Sequence, residues 1–170
     1  MNTKKLYFYN IITSFLPATK FFKLKVWLLR WCGAKIGRNV RIVSSAKFQI
    51  SGILEIGENT WIGHEVLIVG GGEVVIGKNC DIAPRVLIVT GTHKINDISK
   101  EKIAGEGYCK NISILDGCWI CAGVNVLGGT VVNSKTIVTA GSVCTGILEE
   151  KAMYGGAPIK LIKRLTKDDQ

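Results

Sequence analysis

The stretch ILDGCWICAGVNVLGGTVVNSKTIVTAGSVC, residues 114–144, decides the fold because a small or aliphatic apolar residue recurs at every sixth position. These residues are Ile114, Ile120, Val126, Val132, Val138 and Cys144. A period of six matches neither an amphipathic helix nor a simple alternating strand. It fits a prism with three flat sides, in which each six-residue unit forms one side and three units close one coil. Stacked coils of this kind form a parallel β-helix, so we expect a mainly β protein.

The same repeat extends toward the N-terminus with slightly longer coils. Units begin at Ile56, Ile62, Ile76 and Ile82, and the fifth position of each unit is small or β-branched, as at Cys80. Two offsets of eight, from Phe48 to Ile56 and from Ile68 to Ile76, indicate two-residue bulges. The early coils should therefore hold about 20 residues and the later ones about 18. The repeat predicts a β-helix over residues 33–158.

Composition and charge limit the classes of partner. The chain has 170 residues, 47% of them hydrophobic, which excludes a disordered chain. Its 22 basic and 13 acidic residues give a net charge of +9, which favours an anionic partner. Because clusters of basic residues occur near both ends and no recognised motif accompanies them, no nucleic acid is expected. The uncharged run 6–19 is too short to span a bilayer.

The six cysteines do not form a metal-binding or disulfide pattern. Cys118 and Cys121 form a CxxC pair, but no second pair accompanies it. Cys80 and Cys118 fall at the small inward position of the repeat. We therefore expect reduced thiols that serve as small apolar filler, no metal site, and a cytoplasmic protein.

The segments that flank the repeat break its period. Residues 1–32 predict two short helices divided near Pro17. They suit a cap on the first coil or an oligomer contact, and their basic and aromatic residues also suit a peripheral contact with an anionic membrane. Residues 159–170 predict a short basic C-terminal helix over 159–166, followed by a tail.

His93 is the candidate catalytic residue. VLIVGGGEVVIG, residues 66–77, continues into the next coil, whereas VLIVTGTHKIND, residues 86–97, places His93 just before a long polar loop over 94–112. Histidine is the natural general base near neutral pH, and long ordered insertions in a compact repeat are usually functional.

Three other residue groups are candidates for orienting His93 or contacting the acceptor. By the 20-residue offset, Glu73 should lie one coil below His93, where a carboxylate would orient the imidazole. Asp97 and Glu101 in the loop compete for that role, and a solvated glutamate is the alternative for Glu73. His64 falls on a different side, either in solvent or in contact with an acceptor across a subunit boundary.

The chain resembles the hexapeptide-repeat acyltransferases with a left-handed β-helix, over roughly residues 33–165. VTGTH, ILDGCWICAGVNVLGGTVV and GGAPIKLIK are similar to the galactoside, maltose and capsular-sugar O-acetyltransferase branch. The resemblance implies that His93 is the general base and that acetyl-CoA binds at Ala122, Ala140 and Thr145. It places Lys160 and Lys163 near the nucleotide phosphates. It also implies a homotrimer with the site between subunits.

The sequence departs from that branch at the acceptor. Gly63 and Gly71 stand near the positions of the branch's sugar-binding asparagine and aspartate, and Gly146 replaces a usual lysine. The acceptor therefore stays open between a sugar hydroxyl, in capsule, exopolysaccharide or lipopolysaccharide assembly, and a nucleotide-linked amino sugar. A non-catalytic structural prism is a further alternative. A carbonic anhydrase on this prism needs three zinc-binding histidines, and the chain has two.

Overall fold

Two short helices precede the prism in the computed structural model, which describes residues 1–168. They are α1 (Thr3–Ser14) and α2 (Phe22–Trp31), so the two predicted helices and their division near Pro17 are confirmed. Neither has the length and apolar content that a membrane-crossing helix needs. The strands are β1 (Lys35–Ile36), β2 (Arg41–Ile42), β3 (Lys47–Ile50), β4 (Leu54–Ile56), β5 (Trp61–Ile62), β6 (Leu67–Gly70), β7 (Val74–Ile76), β8 (Asp81–Ile82), β9 (Leu87–Val89), β10 (Gly91–Ile95), β11 (Ala104–Cys109), β12 (Ile112–Ile114), β13 (Trp119–Ile120), β14 (Asn125–Leu127), β15 (Val131–Val132), β16 (Ile137–Val138), β17 (Val143–Cys144), β18 (Ile147–Leu148), β19 (Ala152–Gly155) and β20 (Lys160–Arg164).

The strands form the three sides of a parallel β-helix, as predicted. The first side has the order β1-β4-β7-β12-β15-β18, the second β2-β5-β8-β13-β16-β19-β20, and the third β3-β6-β9-β14-β17. Lys35 pairs with Glu55, an offset of twenty residues, whereas Ser113 pairs with Val131, an offset of eighteen. The predicted change in coil length is therefore confirmed. Strands β10 and β11 form a separate antiparallel pair.

The repeating inward residues fill the prism. The aliphatic positions are fully buried, as at Ile82 and Ile120. The small positions stack in a column, where the Cys80 thiol donates to the Leu115 carbonyl at 3.1 Å and the Cys118 thiol to the Asn133 carbonyl at 3.1 Å. These cysteines act as small buried filler, as predicted. Burial raises the pKa of the Cys144 thiol to about 12, which keeps it protonated.

The helices close the N-terminal end of the prism. The Asn10 side chain donates to the Phe48 carbonyl at 2.8 Å and accepts from the Phe48 amide at 3.2 Å, which satisfies backbone groups at the open edge of β3. Lys25 is fully buried and donates to the Ala18 carbonyl and the Ser44 hydroxyl. Burial lowers the pKa of Lys25 to about 8. These contacts fix both helices to the first coil.

The predicted C-terminal helix over residues 159–166 is wrong. The chain reverses after β19, with Gly156 at a φ of +97°, and Lys160–Arg164 forms strand β20 antiparallel to β19. Without β20, strand β19 would leave an open edge on the second side. Pairing with that edge satisfies more backbone groups than one or two isolated helical turns would. Residues 169 and 170, the end of the predicted tail, lie outside the described part of the chain.

Candidate active site

An antiparallel hairpin, formed by β10 and β11, occupies the predicted loop region. It leaves the prism after Thr90, at the corner between the third and first sides. It returns at Lys110, whose backbone amide donates to the Thr90 carbonyl at 2.9 Å. The predicted loop over 94–112 is therefore mostly an ordered hairpin that is closed at its base, with a turn over 96–103.

His93 lies on β10, exposed, with a defined hydrogen bond. Its Nδ1 is 2.9 Å from the carbonyl oxygen of Gly105 on β11. Because a carbonyl oxygen only accepts, Nδ1 carries the hydrogen in this contact and Nε2 carries the lone pair. The tautomer follows from the contact and gives His93 a proton-accepting atom that the hairpin does not use.

Gly105 is a site residue that the sequence reasoning missed. A Cβ atom on Gly105 would lie 2.3 Å from the Asn96 Oδ1 and 3.0 Å from the Lys94 carbonyl. The Asn96 side chain is itself held, since its amide donates to the Lys102 carbonyl at 2.8 Å. Glycine at 105 therefore lets the backbone approach the turn closely enough to present its carbonyl to His93. Its only sequence signal was a glycine in the segment IAGEG.

Glu73 does not lie below His93, so that part of the prediction is wrong. The Glu73 amide donates to the Asn111 side-chain oxygen at 3.0 Å, and the Asn111 amide group donates to the Glu73 carboxylate at 3.3 Å. The 20-residue offset fails here because the chain leaves the coil and re-enters it at Asn111.

The competing loop carboxylates have other positions. Asp97 accepts from the amide and hydroxyl of Ser99, and these hydrogen bonds lower the pKa of Asp97. Glu101 is exposed in the hairpin turn. The hydrogen-bond acceptor that orients the His93 ring is the Gly105 carbonyl rather than a side-chain carboxylate.

Ala122 and Ala140 stack on the corner between the second and third sides. The Gly141 amide donates to the Ala122 carbonyl at 3.0 Å, and both alanines are exposed. A Cβ added at Gly141 would meet no atom within 4 Å, so the corner is open. Small side chains and open glycines leave the backbone accessible to an extended ligand, which fits the predicted binding of acetyl-CoA at this corner.

Thr145 lies on the opposite edge of the third side. It follows β17, at the corner from which the hairpin leaves two coils earlier. The third side thus separates Thr145 and His93 on one edge from Ala122 and Ala140 on the other. Several outward residues of this side are apolar and half-buried, as at Leu87 and Leu127.

His64 shares the corner of the two alanines rather than that of His93. The Arg85 amide donates to the His64 carbonyl, and the Gly123 amide donates to the Pro84 carbonyl one coil further on. The His64 side chain is exposed, with Nδ1 3.3 Å from the Ser45 hydroxyl. His64 and His93 therefore occupy different corners of one chain, as predicted.

Lys160 and Lys163 lie at the C-terminal end of the prism. Both are exposed on β20, where Lys160 pairs with Gly155 and Lys163 with Met153. Their position extends the line of the alanine corner toward the last coil, but within one chain it does not bring them next to His93. Among residues 1–168, no three His, Cys, Asp or Glu side chains gather in a way that would hold a metal ion.

No family model matches the chain. The chain is 30% identical over 151 residues to the "Putative colanic acid biosynthesis acetyltransferase WcaF" of Escherichia coli K12, an alignment that covers 87% of this chain and 79% of that protein. It is 35% identical over 114 residues to the "Putative acetyltransferase YJL218W" of Saccharomyces cerevisiae, covering 67% of this chain and 57% of the yeast protein.

Solved structures agree on the fold. The hexapeptide-repeat acetyltransferase VCA0836 from Vibrio cholerae, in its complex with acetyl coenzyme A, superposes with a TM-score of 0.81 at 20% identity. The match covers 97% of this chain and 87% of the Vibrio chain.

Proposed function

The chain belongs to the hexapeptide-repeat acetyltransferases, and from that premise we propose that it transfers an acetyl group from acetyl-CoA to a sugar hydroxyl, with His93 as the general base. The hydrogen bond from His93 Nδ1 to the Gly105 carbonyl carries the proposal, because it leaves Nε2 available to accept a proton. Similarity to a relative named for colanic acid biosynthesis supports a saccharide acceptor.

The proposed reaction uses His93 twice. Nε2 takes the hydroxyl proton of the acceptor while its oxygen forms a bond to the thioester carbonyl carbon. The carbon–sulfur bond then breaks, and the imidazolium returns the proton to the departing thiolate. Throughout, the Gly105 carbonyl holds the ring orientation and stabilises the imidazolium by accepting from Nδ1. A positioned general base of this kind contributes roughly 10²–10⁴-fold to the rate.

The donor substrate, acetyl-CoA, is proposed to lie along the corner formed by Ala122 and Ala140, with Thr145 on the other edge of the third side. Exposed backbone groups at the small corner residues suit the amides of an extended pantetheine arm. Lys160 and Lys163 on β20 supply positive charge for the phosphates at the end of such a ligand.

A homotrimer would complete the site. In one chain His93 is exposed, and Ala122 and Ala140 of the proposed donor corner lie on the opposite edge of the third side. A neighbouring prism would supply the missing wall, and three-sided prisms suit closed three-fold symmetry. His64 would then be placed to contact the acceptor across the subunit boundary, and Glu73 near the hairpin base is a second candidate contact. The setting that fits is capsule, exopolysaccharide or lipopolysaccharide assembly, in the cytoplasm at the inner face of the membrane.

The test is release of free thiol from acetyl-CoA with sugars, oligosaccharides and nucleotide-linked amino sugars as acceptors. We expect turnover with a saccharide hydroxyl, and His93→Ala should lower kcat at least about a hundredfold. The matched control is His64→Ala, which should raise KM for the acceptor while leaving kcat nearly unchanged.

Scattering and calorimetry separate the possible failures. His93→Ala should keep the oligomer and the affinity for coenzyme A. Undiminished transfer by that variant would refute the base assignment. Turnover with amino sugars alone would shift the proposal to N-acetylation, and a wild-type chain without affinity for acetyl-CoA would indicate a structural prism.

A further inference from the structure

The net positive charge of the protein originates in its first 54 residues. This segment, here called the cap region, contains ten Lys and Arg residues and no Asp or Glu, since Glu55 is the first acidic residue. The remaining 116 residues carry 12 basic and 13 acidic residues and are nearly neutral. One end of the prism, formed by the two helices and the first coil, is therefore strongly cationic while the rest is balanced.

Helix α1 presents apolar side chains on two faces. Leu6, Tyr9 and Thr13 are buried against the prism. The outward face carries Tyr7, Phe8, Ile11, Ile12 and Phe15, and Phe15 is 85% exposed. A surface helix of a soluble protein normally turns polar residues outward. The outward face of α1 is instead an apolar surface within a cationic region.

Helix α2 interleaves aromatic and basic residues on its exposed face. Trp27 and Trp31 are exposed, and so are Lys23 and Arg30. Beside it, an open groove of about 970 Å³ runs between α2 and the first coil. Its lining includes Phe21, Leu24, Lys23, Arg30, Arg38 and Arg41. Aromatic and basic side chains in such a mixture suit the boundary between lipid headgroups and acyl chains.

The two helices of the cap region are hydrogen-bonded to the first coil of the prism, so their exposed faces have a fixed direction. Asn10 is held to the Phe48 backbone by two hydrogen bonds. The buried Lys25 amine binds the Ala18 carbonyl and the Ser44 hydroxyl, and Arg30 donates to the Ile36 and Gly37 carbonyls. Both helices are therefore already packed on the first coil, and the apolar outward face of α1 is a surface of the folded protein.

We propose that the cap region is a docking surface for an anionic lipid bilayer. Phe8, Ile12 and Phe15 enter the headgroup boundary, and the surrounding lysines and arginines meet lipid phosphates. A second copy of the cap region is disfavoured as the occupant because it carries charge of the same sign. The docking surface does not depend on the catalytic assignment.

The test is flotation of the full-length protein with two kinds of vesicle. One contains phosphatidylcholine alone, and the other an equimolar mixture of phosphatidylcholine and phosphatidylglycerol. We expect binding to the mixed vesicles only, weakened by salt. Lys20→Glu with Lys23→Glu should lower partitioning at least about tenfold, since each basic residue near an anionic surface contributes measurably. Phe15→Ser, at an exposed position that leaves folding intact, should also lower it.

A matched control lies on the hairpin. Ile98→Ser with Lys100→Glu makes the same kinds of change at exposed positions, with Ile98 91% exposed, and should leave partitioning unchanged. The proposal is overturned if neither kind of vesicle binds the wild type, or if the hairpin variant loses binding instead. It is also overturned if Phe15→Ser binds the mixed vesicles as well as the wild type does. A change of oligomeric state in Phe15→Ser, without vesicle binding by the wild type, would assign the face to a second copy.

Discussion

Two segments of the prism share the same four residues in a strand of the third side but differ in the corner that follows the strand. Both VLIV segments, 66–69 and 86–89, pair side by side on the third side, where Leu67 aligns with Leu87. After the first, residues 70–73 turn directly into the next strand of the first side. After the second, the chain leaves at Thr90, forms the hairpin that carries His93, and returns at Lys110.

The coils of the prism stack in register across the point where the hairpin is inserted. Ile112 pairs with Val74 in register, and the Asn111 side chain hydrogen-bonds the Glu73 amide. The buried Thr90 hydroxyl accepts from the Gly72 amide at 3.0 Å, which joins the two corners to each other. Structure and chemistry are thus divided between neighbouring segments, with the fold in the stacked corners and the candidate base in the insertion.

The strongest test of this division is deletion of residues 92–109. The remaining Thr90, Gly91, Lys110 and Asn111 form a four-residue corner, the same length as corner 70–73. We expect cooperative thermal unfolding and a β-type circular dichroism spectrum to persist, because the shorter loop also costs less closure entropy. Acetyl transfer should be undetectable. An aggregated or unfolded product would show that the hairpin belongs to the scaffold.

A single added methyl group should reduce catalysis while leaving the prism intact. In Gly105→Ala the new Cβ would lie 2.3 Å from the Asn96 Oδ1, so the Gly105 carbonyl must move relative to His93. A displacement of this size should lower kcat by about 10- to 100-fold. The pH profile of kcat should also change, with KM for acetyl-CoA held.

Gly107→Ala is the matched control for that variant. Its Cβ would meet His93 Cε1 at 3.5 Å, an ordinary contact, so kcat should change much less. If the two alanine variants lost activity equally, or if Gly105→Ala kept the wild-type pH profile, the Gly105 carbonyl would have no positioning role.

The sequence was sufficient for the prism because its signal is periodic. Every inward position of the run from Ile114 to Cys144 is repeated, and burial of that series determines the register of the coils. Strand β20 was not predictable in the same way. KLIKR has no period of its own, and an unpaired edge on β19 determines its conformation.

The candidate site was predictable only where it interrupts the repeat. His93 stood out against Glu73 because the two segments are otherwise alike, but the same offset then misplaced Glu73. The offset holds only while the chain follows the coil. At the hairpin the chain leaves the coil and re-enters it at Asn111, so Asn111 and not His93 contacts Glu73. The partner of His93 is a backbone carbonyl, which any residue type carries, so the side-chain sequence could not specify it.

Thr90→Val tests the link between the two corners. Valine keeps the shape but removes the acceptor of the Gly72 amide, leaving a buried N–H unpaired. We expect a loss of about 1–3 kcal/mol in unfolding free energy. Each kcal/mol should lower Tm by about 2–4 °C for a chain of this size.

The same exchange at Thr92, on the half-buried start of the hairpin, should cost within about 0.5 kcal/mol. Calorimetry compares the two variants directly. Equal losses would mean that the corners are not joined through Thr90.

The smallest effect expected is an acid response confined to the hairpin. Hydrogen bonds from Ser99 lower the pKa of Asp97, so their stabilisation is present above the usual aspartate pKa and is lost as pH falls through the lowered value. The protection of the Ser99 amide against exchange, relative to its intrinsic rate, should therefore fall at that pH, while the Gly72 amide, held by the Thr90 hydroxyl, stays protected as an internal reference. In Asp97→Ala the Ser99 amide should exchange close to its intrinsic rate at every pH. If the Gly72 amide loses protection together with Ser99, the insertion and the scaffold open as one unit, and the division between the two corners does not hold.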